Sequence, residues 1–163
     1  MERRMNEAHR DTAKNALLHE LALAAREEKA AVMHYTHAAI LAAESAPAAA
    51  RLFDELARAE LAHYEELGQL LLYLSKSAPQ AARSTWHNVF FAKSPHTGPE
   101  KHGDTNAFIQ IALQNEQKAA ANYRRLADVT RDDITHKLLL QIANEEIEHA
   151  AALTGLEERI RHS

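Results

Sequence analysis

The chain has 163 residues, a net charge of −4, no cysteine, and only 4 glycines and 4 prolines. Its length is typical of a single domain. The lack of cysteine excludes disulfides, a thiolate nucleophile and cysteine-ligated metal sites. With 19 basic and 23 acidic side chains, the chain has no positive excess for a nucleic-acid partner. Abundant alanine and few helix breakers favour an all-α fold, in which 11 histidines need an explanation.

The N-terminal residues, Met1 to Glu7, are charged and are not followed by the apolar segment of a secretory signal. The longest apolar run, Leu70 to Leu74, is far shorter than the roughly 20 residues that cross a bilayer. We therefore expect a cytoplasmic protein without a membrane partner.

Four helices are predicted within one domain of residues 1–163, at about residues 11–45, 47–77, 104–128 and 131–161. Asp11 or Thr12 is the expected cap of the first helix, and Asp104 or Thr105 that of the third. Pro47 suits the first position of the second helix. Apolar residues recur at helical spacing on the second and fourth helices, at Phe53, Leu56, Leu67, Leu71, Leu139, Ile142, Leu153 and Leu156.

Residues 78–103 contain three of the four prolines and are predicted to connect the second helix to the third. Such a segment reaches roughly 85 Å when extended, whereas a 30-residue helix is roughly 45 Å long. The predicted architecture is therefore a four-helix bundle of two antiparallel hairpins joined by a long crossover. Within the crossover, apolar side chains are expected to pack on the bundle rather than form a binding surface, at Trp86, Val89, Phe90 and Phe91.

Ionisable residues interrupt each apolar stripe near its middle. The second and fourth helices each carry a Glu-x-x-His pair, and the first and third each carry one glutamate, namely Glu60, His63, Glu146, His149, Glu28 and Glu116. Residues three apart share a helix face, so each pair directs a carboxylate and an imidazole inward. Counted from the predicted interhelical turns, the four glutamates lie at depths of roughly 21 to 27 Å, near one level of the bundle.

The two predicted hairpins also repeat each other. Glu28 precedes Glu116 by 88 positions, and Tyr35 precedes Tyr123 by the same number. The second Glu-x-x-His pair follows the first at an offset of 86 positions. A two-residue insertion or deletion at the turns accounts for the difference in offset. The match supports a shared role for the repeated residues.

Four buried carboxylates repel one another unless cations neutralise them. Two divalent ions would balance four glutamates, with the two neutral imidazoles completing the ligand set. Oxygen donors with one imidazole per metal favour iron or manganese, while zinc stays open. The alternative is a metal-free network in which these residues satisfy one another or face solvent.

Two helices that supply Glu and two that supply Glu-x-x-His form the pattern of ferritin-like dimetal proteins. Over residues 11–161 the sequence resembles that superfamily, and within it the rubrerythrins and bacterioferritins. The resemblance implies two iron ions, with manganese or a mixed Fe/Mn pair as alternatives, held by the six residues with Glu60 and Glu146 bridging. It also implies that Tyr35 and Tyr123 are catalytic tyrosines near the metals, or core aromatics. Glu145 corresponds to an acid that holds a ligand histidine.

Departures from the family pattern limit what the resemblance implies. Rubrerythrins usually have a further glutamate where this chain has Ala119, and often a cysteine-ligated iron domain that it lacks. Leu61 stands where bacterioferritins have a haem-ligating methionine, so no haem is expected. The 14 residues after His149 leave no room for the fifth helix of ferritin cages, which favours a homodimer.

The function expected from this pattern is a non-haem di-iron, or Fe/Mn, oxidoreductase that reacts with O2 or peroxide as a ferroxidase or peroxidase. Its electron donor is unknown. Iron binding or storage without turnover is one alternative, and a dimetal hydroxylase acting on tRNA or quinones is another. Lack of a basic patch argues against tRNA, and lack of a membrane-binding helix argues against quinones. His34 and His37, near Tyr35, are candidates for an outer metal site.

Overall fold

The computed structural model describes residues 2–76, 78, 80–92 and 105–162, with the backbone alone for residues 2–10, 81 and 82. Five helices form this part of the chain: α1 Glu2–Ala42, α2 Pro47–Ser75, α3 Gln80–Phe90, α4 Thr105–Val129 and α5 Asp133–Arg161. The predicted all-α fold class is confirmed for the described residues. None of these helices combines the length and apolar character needed to cross a bilayer.

The predicted helix boundaries need two corrections. The first helix begins at Glu2 rather than at residue 11, so Asp11 and Thr12 are interior helical residues and cap nothing. The predicted connection after the second helix contains a further helix, α3. Its eleven residues include neither glycine nor proline, and Trp86 and Phe90 are one turn apart. The sequence pattern of a helix was therefore present, within a segment otherwise rich in helix breakers. Asp104, His96 and His102 lie outside the described residues.

The chain forms two compact units. Unit 1 consists of Met1–Ala30 and Leu61–His96, and thus holds the first part of α1, the second part of α2, and α3. Its buried apolar residues come from all three helices, among them Leu18, Leu21, Ala25, Leu67, Leu71, Trp86 and Phe90. Of the residues expected to anchor the crossover, Trp86 and Phe90 are buried, whereas Phe91 is exposed.

Unit 2 consists of Ala31–Glu60 and Thr97–Ser163, and holds the second part of α1, the first part of α2, α4 and α5. A continuous apolar core draws on all four helices through Tyr35, Ala38, Ala42, Ala49, Phe53, Leu56, Ala57, Ile109, Ala112, Leu153 and Leu156. The predicted stripe residues of the fourth predicted helix, Leu139, Ile142, Leu153 and Leu156, are all buried on α5. The helical periodicity therefore identified the face that packs inward.

The turn between α4 and α5 is set by a side-chain cap. Asp132 has an extended backbone and accepts hydrogen bonds from the backbone N–H of Thr135, at 2.8 Å, and from its hydroxyl, at 2.7 Å. The ring Nδ1 of His136 lies 2.9 Å from the carbonyl oxygen of Ala127, near the end of α4. These contacts satisfy polar groups at the helix ends and fix where α5 begins.

Candidate metal centre

Three glutamates and one histidine meet in the interior of unit 2. Glu60 lies on α2, Glu116 on α4, and Glu146 and His149 one turn apart on α5. Each offers one carboxylate oxygen or ring nitrogen, and these four atoms all lie within 4.8 Å of one another. The glutamates are at most 3% exposed, which is rare for a charged side chain that lacks a compensating group.

His149 is the contact shared by the three carboxylates. Its Nδ1 lies 3.1 Å from Oε1 of Glu60, 3.4 Å from Oε2 of Glu116 and 3.6 Å from Oε2 of Glu146. A single ring nitrogen donates one proton, so it cannot form three good hydrogen bonds at once. The geometry is instead that of potential metal-ligand atoms directed at a common point, with the Nδ1 edge of the imidazole facing inward.

The close spacing changes the protonation of these groups in the metal-free chain. Burial raises the pKa of Glu116 to about 8. The nearby Glu146 and Glu60 also raise this pKa, whereas the hydrogen bond from His149 lowers it. Burial alone would lower the pKa of His149, but Glu116, Glu146 and Glu60 outweigh it and raise this pKa to about 12. Without a cation, the cluster therefore retains protons to reduce its negative charge.

Tyr35 borders this cluster from α1. Its hydroxyl donates a hydrogen bond to Oε1 of Glu116. Burial and the negative charge of Glu116 raise the pKa of Tyr35 far above its ordinary value, so the phenol stays protonated. Phe53 packs against the Tyr35 ring at 6.2 Å between centroids, and Phe108 packs edge-on at 5.9 Å. The two phenylalanines thus border the ring that carries the donating hydroxyl.

Unit 1 contains a second pair of predicted ligands. Glu28, on α1, and His63, on α2, are 4% and 1% exposed. A carboxylate oxygen of Glu28 and a ring nitrogen of His63 lie within 4.8 Å of each other. Because His63 follows Glu60 by one turn of the same helix, the α2 backbone places their side chains on one face.

The remaining predictions have mixed outcomes. Tyr123 is 1% exposed, as expected for either a catalytic tyrosine or a core aromatic. Glu145 is half-buried and accepts a hydrogen bond from Gln141 at 3.0 Å, and its contact with a ligand histidine stays a prediction. Phe108 was missed, since no spacing in the sequence connects it to Tyr35. His34 is half-buried and His37 exposed, and their suggested outer site stays a prediction.

The donor set of the unit 2 cluster fits a hard or borderline divalent cation. It consists of three carboxylates with one imidazole and contains no sulfur, a combination that suits iron or manganese. A cation at the common point would offset the mutual repulsion of the glutamates and replace the retained protons. The cluster is therefore compatible with metal binding.

Comparison with known proteins identifies the family of the chain. A family model described as the ferritin-like domain matches residues 15–162, nearly the whole chain. No characterised protein in the curated set matches the sequence significantly. The match covers all six predicted ligands and both tyrosines, and the chain belongs to the ferritin-like domain family.

Proposed function

We propose that this protein is a non-haem di-iron oxidoreductase that reacts with O2 or peroxide, as a ferroxidase or a peroxidase. The observation that carries the proposal is the buried cluster of Glu60, Glu116, Glu146 and His149 within 4.8 Å, in a chain of the ferritin-like family. Buried carboxylates at this density are costly to keep unless a cation neutralises them. Such a cost is typically retained where it serves function.

The proposed ligands are the six residues predicted from the sequence. Glu116 and His149 would bind one ion, Glu28 and His63 would bind the other, and Glu60 and Glu146 would bridge the two. Four carboxylates against two divalent cations give charge neutrality. With both bridging carboxylates counted, each ion would have four protein ligands, which leaves coordination positions open for an oxidant on an ion that prefers octahedral geometry.

Bound iron would supply reversible one-electron chemistry and a site where O2 or peroxide is polarised. The protein side chains supply position, proton control and shielding from water. The hydroxyl of Tyr35 holds Oε1 of Glu116, which leaves Oε2 directed toward His149. We propose Tyr35 and Tyr123 as one-electron donors, and the proton that Tyr35 gives up on oxidation has an acceptor in Glu116.

Metal binding is the first test of the proposal. Wild-type protein should bind two equivalents of ferrous iron under anaerobic conditions, and the double variant Glu60→Ala with Glu146→Ala should bind almost none. The matched control is Glu55→Ala with Glu158→Ala, which removes two exposed glutamates from the same helices. Equal iron binding by wild type and the Glu60, Glu146 variant would refute the dimetal centre.

The reaction type follows from ferrous oxidation measured with each oxidant. Rapid oxidation of Fe(II) in air that peroxide does not accelerate indicates a ferroxidase, and oxidation driven mainly by peroxide indicates a peroxidase. Stoichiometric iron binding without faster oxidation than the control buffer would favour the alternative of an iron-binding protein. Parallel titrations with Mn(II) determine whether manganese or a mixed pair takes the place of iron.

A further inference from the structure

The crossover helix α3 packs directly on the part of α2 that carries His63. Within unit 1, the ring of Phe90 stacks on that of Tyr64, with centroids 5.0 Å apart and planes 12° from parallel. Trp86 contacts the same phenylalanine edge-on, at 6.2 Å. Both α3 residues are buried, so this contact is part of the core of unit 1 rather than a surface feature.

Gly68, one turn after Tyr64, provides the space for this contact. A Cβ at position 68 would lie 3.1 Å from Cζ of Phe90, which is tighter than ordinary side-chain packing. A Cβ at this position would therefore require the Phe90 ring to shift by a few tenths of an ångström. In a helix interior, glycine costs roughly 1 kcal/mol relative to alanine, so its presence here is best explained by the close approach of the aromatic ring.

The same tyrosine also contacts α1. The Nζ of Lys29 lies 5.8 Å from the centroid of the Tyr64 ring, a cation–π contact. Lys29 directly follows Glu28, and Tyr64 directly follows His63. Contacts among the three helices of unit 1 therefore occur beside the two residues that bring a carboxylate and an imidazole within 4.8 Å.

We propose that Tyr64 and Phe90 are positioning residues for the metal ion that takes Glu28 and His63 as ligands. This inference rests on the proposed dimetal function. The Phe90 ring, seated over Gly68, fixes the rotation and spacing of α2 at Tyr64, and the helical backbone transmits that placement to His63. The crossover thus serves as a support for one half of the centre. Residues that orient metal ligands commonly change affinity by roughly 10- to 100-fold when removed.

Anaerobic titration with Co(II), followed by visible absorption, tests the proposal. Wild type should bind two ions. In Phe90→Ala and Tyr64→Ala one of the two should bind roughly tenfold more weakly or worse, with an altered spectrum for that ion alone. Tyr64→Phe preserves the stacked ring and should retain wild-type binding. Leu72→Ala removes an exposed apolar side chain from α2 in the same unit and is the matched control.

Gly68 allows a double-mutant test that separates positioning from general damage. Gly68→Ala should weaken the same ion, even though alanine favours the helix, because its Cβ displaces Phe90. Combined with Phe90→Ala, the added methyl group meets vacated space, so the double variant should bind no worse than Phe90→Ala alone. If Phe90→Ala binds both Co(II) ions with wild-type affinity and spectrum, the positioning role is wrong and the dimetal function still stands. A wild type that binds neither Co(II) nor ferrous iron would overturn both.

Discussion

Tyr35 on α1 donates a hydrogen bond from its hydroxyl to Oε1 of Glu116 on α4, across 81 positions of the chain. Both residues are only 3% exposed, so neither group has water as an alternative partner. The contact links an aromatic group of Tyr35, Phe53 and Phe108 to the carboxylate cluster.

Removal of this hydroxyl should destabilise the metal-free protein. In Tyr35→Phe, a buried carboxyl oxygen of Glu116 loses its hydrogen-bond donor, and we expect a loss of about 1 to 3 kcal/mol in the free energy of unfolding. Urea denaturation of metal-free protein measures the change. Tyr64→Phe, which removes a hydroxyl from a half-buried tyrosine in unit 1, serves as the control. A Tyr35→Phe variant as stable as wild type would show that the hydrogen bond contributes nothing net.

The stability of the metal-free protein should fall as the pH rises from about 5 to 9. The pKa of Glu116, raised to about 8, favours folding below its ordinary value of 4.5, and this contribution is lost as the pH rises from 4.5 through 8. The pKa of His149, raised to about 12, contributes stability below 6.5 that is lost gradually as the pH rises above that value. Both contributions have the same sign in this range.

Thermal or urea unfolding at several pH values tests this dependence. Glu116→Gln removes one of the two titrating groups and should lose less stability than wild type between about pH 5 and 8. Metal-free protein that becomes more stable toward pH 9 would contradict the assignment.

Two isoleucines on α5 provide a matched test of the packing. Ile142 is fully buried, whereas Ile147 is 43% exposed. Ile142→Ala should lower the free energy of unfolding by about 2 to 5 kcal/mol, because it removes buried methyl groups and leaves a cavity. Ile147→Ala should change it by about 1 kcal/mol or less, since a large part of that side chain is already exposed to water in the folded protein. Equal losses in the two variants, measured by urea denaturation, would mean that the inward face of α5 is assigned wrongly.

The side-chain cap of α5 should contribute measurably to the free energy of unfolding. Asp132→Ala removes the acceptor for the N–H and hydroxyl of Thr135, and we expect a loss of about 0.5 to 2 kcal/mol. Asp133→Ala changes an exposed acid in the first turn and should cost less. Chemical denaturation of both variants makes the comparison. A larger loss for Asp133→Ala would indicate that the helix dipole, rather than the hydrogen bonds of Asp132, stabilises this end.

The six proposed ligands could be predicted from the sequence because the prediction depends on periodicity within single helices. Glu146 and His149 share a face since three residues make almost one turn, and their place between Ile142 and Leu153 predicts that this face is buried. The spacing between Glu28 and Tyr35 recurs between Glu116 and Tyr123, and this repeat between two helices supported the prediction. The start of α1 and the existence of α3 were missed because local cap and breaker residues are weaker signals than apolar periodicity.

The sequence by itself determined the helical class, the inward faces and the chemical character of the candidate ligands, all of which follow from composition and spacing along one helix. The tertiary structure decided which side chains meet across helices. It placed His149 Nδ1 between 3.1 and 3.6 Å from three carboxylates, directed Tyr35 at Glu116, and set Phe90 over Gly68. Periodicity gives the direction of a side chain from its own axis, but contacts between helices depend on their relative rotation and spacing, which packing determines.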